Sequence, residues 1–405
     1  MSYVPVRAVQ VRLWGKAVGV LAPLGNGTVA FQYDESFLRS GIQISPLVMP
    51  TSTEPYAFPL LPRSAYGGLP GVFADSLPDA WGRGLVDEWM RANGVPRERI
   101  TSLDRLAYVG SRGMGALCYE PDRGPRRRRP SALSMREIVE AAQLALAGRL
   151  RDVPALEAAR EIIRLGSSAG GAHAKAFVGY NPITGEIVPD LPMLPDGFEH
   201  WILKITERDR PWEGEAEFAT YLRARAAGID ISESRLVEID GLRHFLTRRF
   251  DRAGNRRHHV LTLMALRHLP EAAVDGRLSY DQLFLSAEEL GLDYAAKEEV
   301  FRRMAFNVLA DESDDHAKNF SFLLPEGGAW RLAPAYDLTG GVPTAAPADD
   351  NRRAWTNLHQ LSVNGKRSDI GDDDLLAVAD RFAIGTAPRV LREVREALSD
   401  FPPNG

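Results

Sequence analysis

The chain has 405 residues, which is enough for two or three domains that each bury a core. Its 44% hydrophobic and 25% charged residues are typical of a soluble globular protein, and a formal net charge of −5 provides no basic surface for binding nucleic acid unaided. Cys118 is the only cysteine, which excludes an internal disulfide and a cysteine-rich zinc site. The N-terminus has no apolar signal core and no apolar run reaches the length of a membrane helix, so we expect a cytoplasmic protein without membrane contact.

The first 120 residues predict a small N-terminal α/β domain, which we place at residues 1–120. Polar and apolar residues alternate before Gly15-Lys16 and an apolar run follows, a pattern typical of a β-hairpin. The strands of this domain are expected at residues 6–14, 17–21, 29–33, 42–45 and 113–119. A helix is expected over Leu85–Ala92, because the following Asn93-Gly94 is a common helix end.

Residues 121–165 predict a basic linker followed by helices. Arg126–Arg129 lies between two prolines, so we interpret it as a solvated linker rather than a phosphate-binding site. Helical periodicity follows at residues 134–147 and 154–164, and these helices lead into the next domain.

The remaining chain predicts a lobe of strands followed by a lobe of helices. Strands are expected at residues 175–180, 200–205, 234–239 and 242–250, with a helix over 213–227. From Tyr280 onward the pattern is mostly helical, and helices over 372–382 and 388–398 close the chain. Strands first and helices later is the order of a two-lobed protein kinase. We therefore predict an α+β fold with a strand lobe at residues 166–255 and a helical lobe at 256–405.

The stretch from residue 313 to 337 combines the residue types that phosphoryl transfer requires. Kinases place a carboxylate beside the attacking hydroxyl, and they use an Asn and a second Asp as Mg²⁺ ligands. Asp314 would be the base, and Asn319 and Asp337 would be the metal ligands. A β-hairpin predicted over residues 320–333 would bring Asp337 back beside Asn319. The alternative is that Asp314 belongs to a solvated loop and Asp337 to a turn.

A glycine-rich segment, Gly166–Gly171, precedes the first strand of the strand lobe. Its glycines would let backbone N–H groups approach phosphates, and the strand would hold the loop over a nucleotide. The segment does not match a P-loop, because no Gly-Lys-Ser/Thr follows at the required offset. A Gly/Ser turn before a strand is common, so the segment indicates nucleotide binding only together with a lysine strand downstream.

Lys204 lies in an otherwise apolar strand downstream of this loop. A buried ammonium is unfavourable without a partner, so Lys204 either points to water from an edge strand or binds a charged group. In a kinase it would contact the α- and β-phosphates and pair with a helix carboxylate. Glu217 in the following helix is the first candidate for this ion pair, and Glu215 is the second.

Two other chemistries lack their sequence context. No Gly-x-Ser-x-Gly elbow is present for a serine hydrolase. His258, His259 and His316 have no second ligand pair at metal spacing, which argues against a zinc enzyme. We interpret His316 as a residue that braces the loop around Asp314.

With these residues in order, the chain resembles the HipA family of bacterial toxin serine/threonine kinases over nearly its whole length. The block Phe73–Trp81, with its Leu-Pro-Asp sequence, matches the family's N-terminal domain. The kinase-domain blocks are Ser168–Lys175, Arg249–Arg252, Asp314–Ser321 and Leu332–Leu338. The pattern Asp-x-His-x-Lys-Asn with Tyr-Asp downstream is highly specific. The resemblance implies a two-lobed protein-kinase-like domain of the HipA type behind a small α/β domain.

The resemblance implies an activity and partners as well. Family members use ATP and Mg²⁺ to phosphorylate a protein serine or threonine, often on an aminoacyl-tRNA synthetase, and this halts translation and growth. They are neutralised by a HipB-like helix-turn-helix antitoxin that binds operator DNA. Contact of this chain with DNA would therefore be indirect, through the antitoxin.

The resemblance also implies roles for individual residues. Asp314 is the catalytic base, and Asn319 and Asp337 hold Mg²⁺. Ser168, or its neighbour Ser167, is the site of an inactivating autophosphorylation. The implied ATP-binding residues are Ser168, Ala169, Gly170, Gly171, Ala172, Lys175, Lys204, Phe250, His316 and Lys318.

Two competing interpretations remain open at this point. A small-molecule phosphotransferase of the aminoglycoside-kinase type also uses an Asp–Asn–Asp set, but such enzymes normally lack the N-terminal domain and its Leu-Pro-Asp block. A non-catalytic co-repressor, which only assists a DNA-binding partner, would have broken catalytic positions. The lysine, the base and both metal ligands are all present here.

Overall fold

Sheets and helices are mixed in this protein, as the predicted α+β class requires. Its computed structural model describes residues 5–124, 136, 139, 140, 143, 174–270, 278–339 and 358–401. The predicted linker arginines at 126–129 lie outside the described residues. The predicted helices at 134–147 and 154–164 do so as well, apart from the four single positions.

Residues 5–124 form an antiparallel sheet with short helices beside it. The strands are β1 (Val9–Leu13), β2 (Lys16–Pro23), β3 (Val29–Tyr33) and β4 (Leu117–Glu120), in the order β3-β2-β1-β4. The helices are α1 (Glu35–Leu38), α2 (Arg63–Tyr66), α3 (Gly71–Ala74), α4 (Ala80–Ala92) and α5 (Ser102–Val109). The predicted hairpin of β1 and β2 is present, and β1 alternates buried and partly exposed residues because one face packs on the core.

The prediction of a strand at residues 42–45 is wrong, because these residues form no strand in the structure. Tyr56 lies beside β3 instead, where it exchanges two main-chain hydrogen bonds of 2.8 Å with Phe31. The side chain of Gln43 accepts a hydrogen bond from the Thr51 backbone at 2.9 Å and donates one to the Thr51 hydroxyl at 2.7 Å. Another segment thus occupies the edge of the sheet, which the local alternation of residues does not reveal.

Helix α4 begins earlier than predicted, at Ala80, because Asp79 caps it. The Asp79 carboxylate accepts a hydrogen bond from the third N–H of the helix at 2.6 Å, and the helix ends at Asn93 as predicted.

Helix α5 was not predicted. Its signal is a capping box, in which Thr101 accepts from the Asp104 backbone at 3.2 Å while Asp104 accepts from the Thr101 backbone at 2.9 Å.

The strand lobe is a five-stranded antiparallel sheet with one long helix packed on it. Its strands are β5 (Lys175–Tyr180), β6 (Ile187–Pro189), β7 (Glu199–Lys204), β8 (Ser234–Ile239) and β9 (Leu242–Arg248), in the order β6-β5-β7-β9-β8, and its helix is α6 (Glu213–Ala226). The register of β5 and β7 places Lys175 directly opposite Lys204. Paired residues of neighbouring strands point to the same face, so the two lysines lie side by side.

Two small sheets lie in the part of the chain that follows the strand lobe, beside the helices of the helical lobe. One consists of β10 (Arg252–Ala253) and β11 (Arg256–Arg257), and the other of β12 (His259–Thr262), β13 (Ser321–Leu324) and β14 (Arg331–Leu332), in the order β12-β13-β14. The helices of the lobe are α7 (Leu263–Arg267), α8 (Tyr280–Glu289), α9 (Tyr294–Leu309), α10 (Asp372–Arg381) and α11 (Ala387–Asp400). The hairpin of β13 and β14 is the predicted one, whereas β12, which pairs with β13, was not predicted.

Among the described residues, two hydrophobic cores connect the N-terminal domain to both lobes. In the first, Phe31 of the N-terminal sheet belongs to the same buried cluster as Phe306 of α9. In the second, Met90 of α4 clusters with Trp201 of β7. The N-terminal domain is therefore packed against the strand lobe and the helical lobe alike. In the parts of the chain that the structure describes, no helix is long and apolar enough to cross a bilayer.

Candidate active site

Lys204 is the centre of a largely buried ionic cluster. Its ammonium donates hydrogen bonds to Oε1 of Glu217 on α6 and to Oδ1 of Asp337. The Lys204 and Glu217 side chains are only 15% and 13% exposed, so each charge depends on the other for compensation. Glu215, the second candidate partner, instead forms an exposed ion pair of 3.0 Å with Arg243. Of the two glutamates, only Glu217 contacts the lysine.

Asp337 is held in an unusual backbone conformation next to an anchored tyrosine. Its φ of +58° lies in the left-handed region, which aspartate tolerates better than most residues. The hydroxyl of the preceding Tyr336 donates to the carbonyl of Lys318 at 2.5 Å and is hydrogen-bonded to the Ser321 hydroxyl. The Tyr336 ring lies 5.2 Å from that of Phe250. These contacts connect Asp337 to the loop before β13.

The loop before β13 brings Asp314 and Asn319 together. The amide nitrogen of Asn319 donates to the Asp314 carbonyl at 2.8 Å, and the Asn319 backbone N–H donates to the His316 carbonyl at 2.8 Å. Nε2 of His316 lies 3.7 Å from Oδ1 of Asp314. The Asp314 side chain is 51% exposed, so its carboxylate is accessible to a second molecule.

Asp315, directly after Asp314, is buried and anchors the loop. It accepts hydrogen bonds from the Tyr280 hydroxyl at 2.8 Å and from the Gln360 backbone at 2.6 Å, and it bonds Nδ1 of His359 at 2.9 Å. Two adjacent carboxylates therefore have different environments. Asp315 fixes the loop to α8 and to the segment after residue 358, and Asp314 faces outward.

The ionisation of the carboxylates follows from their surroundings. Burial opposes ionisation of Asp337, but Lys204 and Lys175 hold the pKa of that carboxyl well below its ordinary value. Burial raises the pKa of Glu217 to about 7, although Lys204 acts in the opposite direction. Asp314 is half exposed, but partial desolvation and the charge of Asp337 still raise the pKa of its carboxyl against the opposing charge of His316. Asp337 is thus a stable anion, whereas Asp314 can hold a proton closer to neutral pH.

A cavity of about 530 Å³ lies between the N-terminal domain and the two lobes. This volume is within the range of small-molecule sites in proteins. The candidate residues that line it, besides Glu217 and Asp337, are Lys175, Lys204, Phe250, His316, Lys318 and Asn319. Asp314 is not part of this lining and lies on the side of Asn319 that faces a smaller pocket.

The glycine-rich loop precedes the first described residue of the strand lobe, Ala174. Ser167, Ser168, Ala169, Gly170, Gly171 and Ala172 all lie outside the described residues. The predicted nucleotide contacts of this loop and the predicted autophosphorylation of Ser168 or Ser167 therefore stay predictions.

Two carboxylates of the N-terminal domain reach the same cavity and were not predicted to do so. Oδ2 of Asp79 lies 3.0 Å from Nζ of Lys175. Asp75 accepts hydrogen bonds from the backbone N–H of Thr262 at 2.7 Å and from its hydroxyl at 2.9 Å, and burial raises the pKa of Asp75 to about 6. Both residues belong to the block Phe73–Trp81, whose sequence indicated a family resemblance but no role in the site.

Comparisons with known proteins agree with this architecture. The model of the HipA N-terminal domain matches residues 9–120, and the model of the HipA-like C-terminal domain matches residues 167–402, more than half of the chain. The solved complex of Shewanella oneidensis HipA, HipB and operator DNA contains a chain that superposes with a TM-score of 0.65 at 17% identity, covering 98% of this chain and 92% of that one. The predicted fold class is thereby confirmed.

Curated relatives match over shorter stretches. The provisionally named kinase Y4dM of Sinorhizobium fredii is 24% identical over 216 residues, which is 50% of this chain and 50% of that protein. A provisionally named kinase of Haemophilus influenzae is 30% identical over 159 residues, 36% of this chain and 46% of that protein. The chain spans about half the length of the curated relatives that it matches.

Proposed function

The chain belongs to the HipA family, and we propose that it is an ATP- and Mg²⁺-dependent serine/threonine protein kinase that acts as the toxin of a toxin–antitoxin pair. The observation that carries the proposal is the contact of Lys204 with both Glu217 and Asp337 at the wall of a large cavity. Protein kinases need such a lysine–glutamate pair and a metal-binding aspartate in place before phosphoryl transfer. The kinase names of the curated relatives agree with this proposal.

The oxygen atoms near Lys204 fit a magnesium ion. Lys204 uses Oδ1 of Asp337 and leaves Oδ2 for a cation, and Asn319 uses its amide nitrogen for the loop and leaves its oxygen. No cluster of three or more His, Cys, Asp or Glu residues suited to a metal occurs among the residues that the structure describes. Mg²⁺ would therefore take its other ligands from water and phosphate oxygens, as it usually does. When bound, Mg²⁺ would neutralise negative charge on the phosphates.

The proposed roles in nucleotide binding and proton transfer belong to side chains of the chain itself. Lys204 binds the α- and β-phosphates, and Glu217 holds its ammonium in place. Phe250, beside the Tyr336 ring, lies on the cavity wall where the adenine would stack. Asp314 accepts the proton of the attacking hydroxyl at an accessible carboxylate. Its raised pKa brings this base closer to the operating pH, which favours general base catalysis.

The proposed substrate is the hydroxyl of a protein serine or threonine, for example on an aminoacyl-tRNA synthetase. A protein substrate agrees with the exposure of Asp314, whose carboxylate is half accessible from outside. The nucleotide would occupy the interior cavity and leave that side open.

A helix-turn-helix antitoxin of the HipB type is the proposed partner. The solved relative was crystallised as a complex of HipA, HipB and operator DNA. With a formal net charge of −5, this chain would bind DNA only through such a basic partner. A mobility-shift experiment at moderate salt should detect operator binding with the partner and none without it. Tight, sequence-specific binding by this chain alone would contradict the proposed arrangement.

The kinase activity is tested by incubating the purified protein with labelled ATP, Mg²⁺ and a cell lysate. We expect one or a few labelled proteins, with phosphate on serine or threonine by mass spectrometry, and no label with Asp314→Asn. Label found only on low-mass compounds would indicate a small-molecule phosphotransferase. Equal labelling by wild type and Asp314→Asn would overturn the assignment of the base, and no transfer at all would favour a co-repressor.

A further inference from the structure

We propose that Asp79 of the N-terminal domain is a positioning residue that holds Lys175 in place to bind the phosphates of the nucleotide. This inference rests on the proposed function, because it assumes that the cavity binds ATP. It gives the N-terminal domain a direct part in the active site.

The position of Lys175 follows from the register of two strands. Lys175 in β5 lies directly opposite Lys204 in β7, and paired residues point to the same face of a sheet. Both lysines line the cavity, and both lower the pKa of Asp337 by their positive charge. Lys175 therefore lies at the same end of the cavity as the proposed phosphate and metal site.

The contact between Asp79 and Lys175 is almost completely buried. Their side chains are 5% and 3% exposed, and Nζ lies 3.0 Å from Oδ2. Burying an ammonium is unfavourable unless carboxylates compensate its charge, and a contact at this distance also limits its direction. Asp79 thus contributes to the charge compensation of Lys175 and to its position.

Capping of α4 alone does not explain an aspartate at this position. The cap needs only Oδ1, which accepts from the Gly82 N–H at 2.6 Å, and an asparagine or serine would cap as well. Burial, with a contribution from Asp337, raises the pKa of Asp79, so its charge is held in unfavourable surroundings. The second oxygen, directed at Lys175, is the feature that requires a carboxylate.

The same arrangement occurs once more in the cavity, at Lys204. There too a lysine of the sheet is held by a carboxylate from a helix, in that case Glu217 of α6. The strand lobe supplies the partner of Lys204 from its own helix, and the N-terminal domain supplies the partner of Lys175 from the start of α4. Two lysines fixed side by side can bind neighbouring phosphate groups.

The test compares Asp79→Asn with a matched control on the same helix. Asparagine keeps the capping oxygen of α4 but presents an amide, not a carboxylate, to Lys175. The control is Asp87→Asn, because Asp87 accepts two hydrogen bonds from Arg105 at 2.9 and 3.0 Å within the N-terminal domain and does not line the cavity. Affinities for a non-hydrolysable Mg·ATP analogue and for adenosine are measured by calorimetry on the full chain.

We expect Asp79→Asn to bind the Mg·ATP analogue about tenfold or more weakly, since charged hydrogen bonds contribute at this scale, and to bind adenosine like wild type. Asp87→Asn should bind both ligands like wild type. Lys175→Met should lose a similar factor, and the double variant Asp79→Asn/Lys175→Met should be no weaker than Lys175→Met, because the two residues act through one contact.

Three results would overturn the inference. The first is unchanged affinity of Asp79→Asn for the analogue, and the second is an equal loss for the analogue and adenosine, which a purely structural role would produce. The third is tighter binding of the analogue, which would mean that Asp79 competes with the phosphates for Lys175. A failure of the wild-type protein to bind the analogue would be distinguishable from these, because it would overturn the proposed function itself.

Discussion

Among the residues that the structure describes, two groups of largely buried charged side chains differ in their relation to the cavity: every member of the first lines it, whereas of the second only Arg249 does. The cavity cluster consists of Lys175, Lys204, Asp79, Glu217 and Asp337. The hinge cluster, beside the connection between the two lobes, consists of Asp190, His200, Arg249, Asp251 and Arg252. Their difference indicates which buried charges serve the fold and which serve a ligand.

The hinge cluster is balanced and fully packed. Arg249 makes two hydrogen bonds of 2.9 Å to Asp251 and one of 3.1 Å to Asp190, and its guanidinium lies 4.0 Å from the Phe177 ring centre. Burial opposes ionisation of Asp251, but Arg249 and Arg252 hold the pKa of that carboxyl well below its ordinary value. Two arginines compensate two aspartates, so no further ion is needed.

The cavity cluster is not balanced. Two ammonium groups face three carboxylates. Burial raises the pKa values of Glu217 and Asp79, and the charge of Asp337 acts in the same direction against the opposing charges of the lysines. A bound divalent cation would balance the charge of the third carboxylate. The two lysines would then be able to bind the phosphates of a nucleotide. A buried cluster that is short of positive charge beside an open cavity is thus prepared for a ligand.

The largest expected effect is a loss of activity without a matching loss of stability, at Asp337 of the cavity cluster and at Asp314 of the loop before β13. Asp314→Asn and Asp337→Asn should each lower phosphoryl transfer by about 10³-fold or more, because a general base and a metal ligand contribute at about that scale or somewhat below. The midpoint of urea unfolding should stay close to that of wild type, because Lys204 keeps Glu217 as its partner without Asp337, and Asp314 is half exposed. Transfer near the wild-type rate by either variant would contradict the roles of these residues.

The hinge cluster should behave in the opposite way. Asp251→Asn leaves Arg249 and Arg252 without their shared carboxylate, so the free energy of unfolding should fall by about 3–5 kcal/mol. The molecules that remain folded should lose far less phosphoryl transfer than Asp337→Asn. Urea denaturation and the labelling assay measure the two quantities, and an unchanged unfolding free energy would show that the hinge cluster is not structural.

A smaller effect on activity is expected from the partner of Lys204. Glu217→Gln should lower phosphoryl transfer by roughly 10- to 100-fold, since it replaces a charged hydrogen bond with a neutral one. Glu215→Gln is the matched control on the same helix, because Glu215 pairs with Arg243 at the surface. The Glu215→Gln protein should differ from wild type by less than about 1 kcal/mol in its free energy of unfolding, and its activity should be unchanged. Equal losses in both variants would remove the distinction between the two glutamates.

The smallest expected effect is a dependence of stability on pH. The pKa of Glu217 is about 7 in the folded protein, above the ordinary value of about 4.3 in an unfolded chain. Between these values the folded state binds more protons than the unfolded state, so this residue lowers the free energy of unfolding as the pH rises from about 4.3 through 7. Urea unfolding at pH 5.5 and 8 should therefore show a smaller loss of stability in Glu217→Gln than in wild type. An identical loss would contradict the raised pKa.

Local sequence signals predicted the elements that depend on neighbours in the chain. The alternation in β1 and the turn after it predicted the first hairpin, and the strands and helix of the strand lobe lie close to their predicted positions. The prediction failed at residues 42–45, where the alternation is present but Tyr56 occupies the sheet edge. It missed α5, although the capping box at Thr101 and Asp104 is a readable signal.

The sequence by itself determined the order of the lobes and which residue types stand near the site, because hydrophobic periodicity and turn residues act over a few positions. Only the tertiary structure decided that Asp315 is buried while Asp314 is exposed, since the partners of Asp315 come from two distant segments. It likewise decided that Asp79 meets Lys175. Burial and ion pairing depend on distances across the folded molecule, and packing sets those distances between residues that are far apart in the chain.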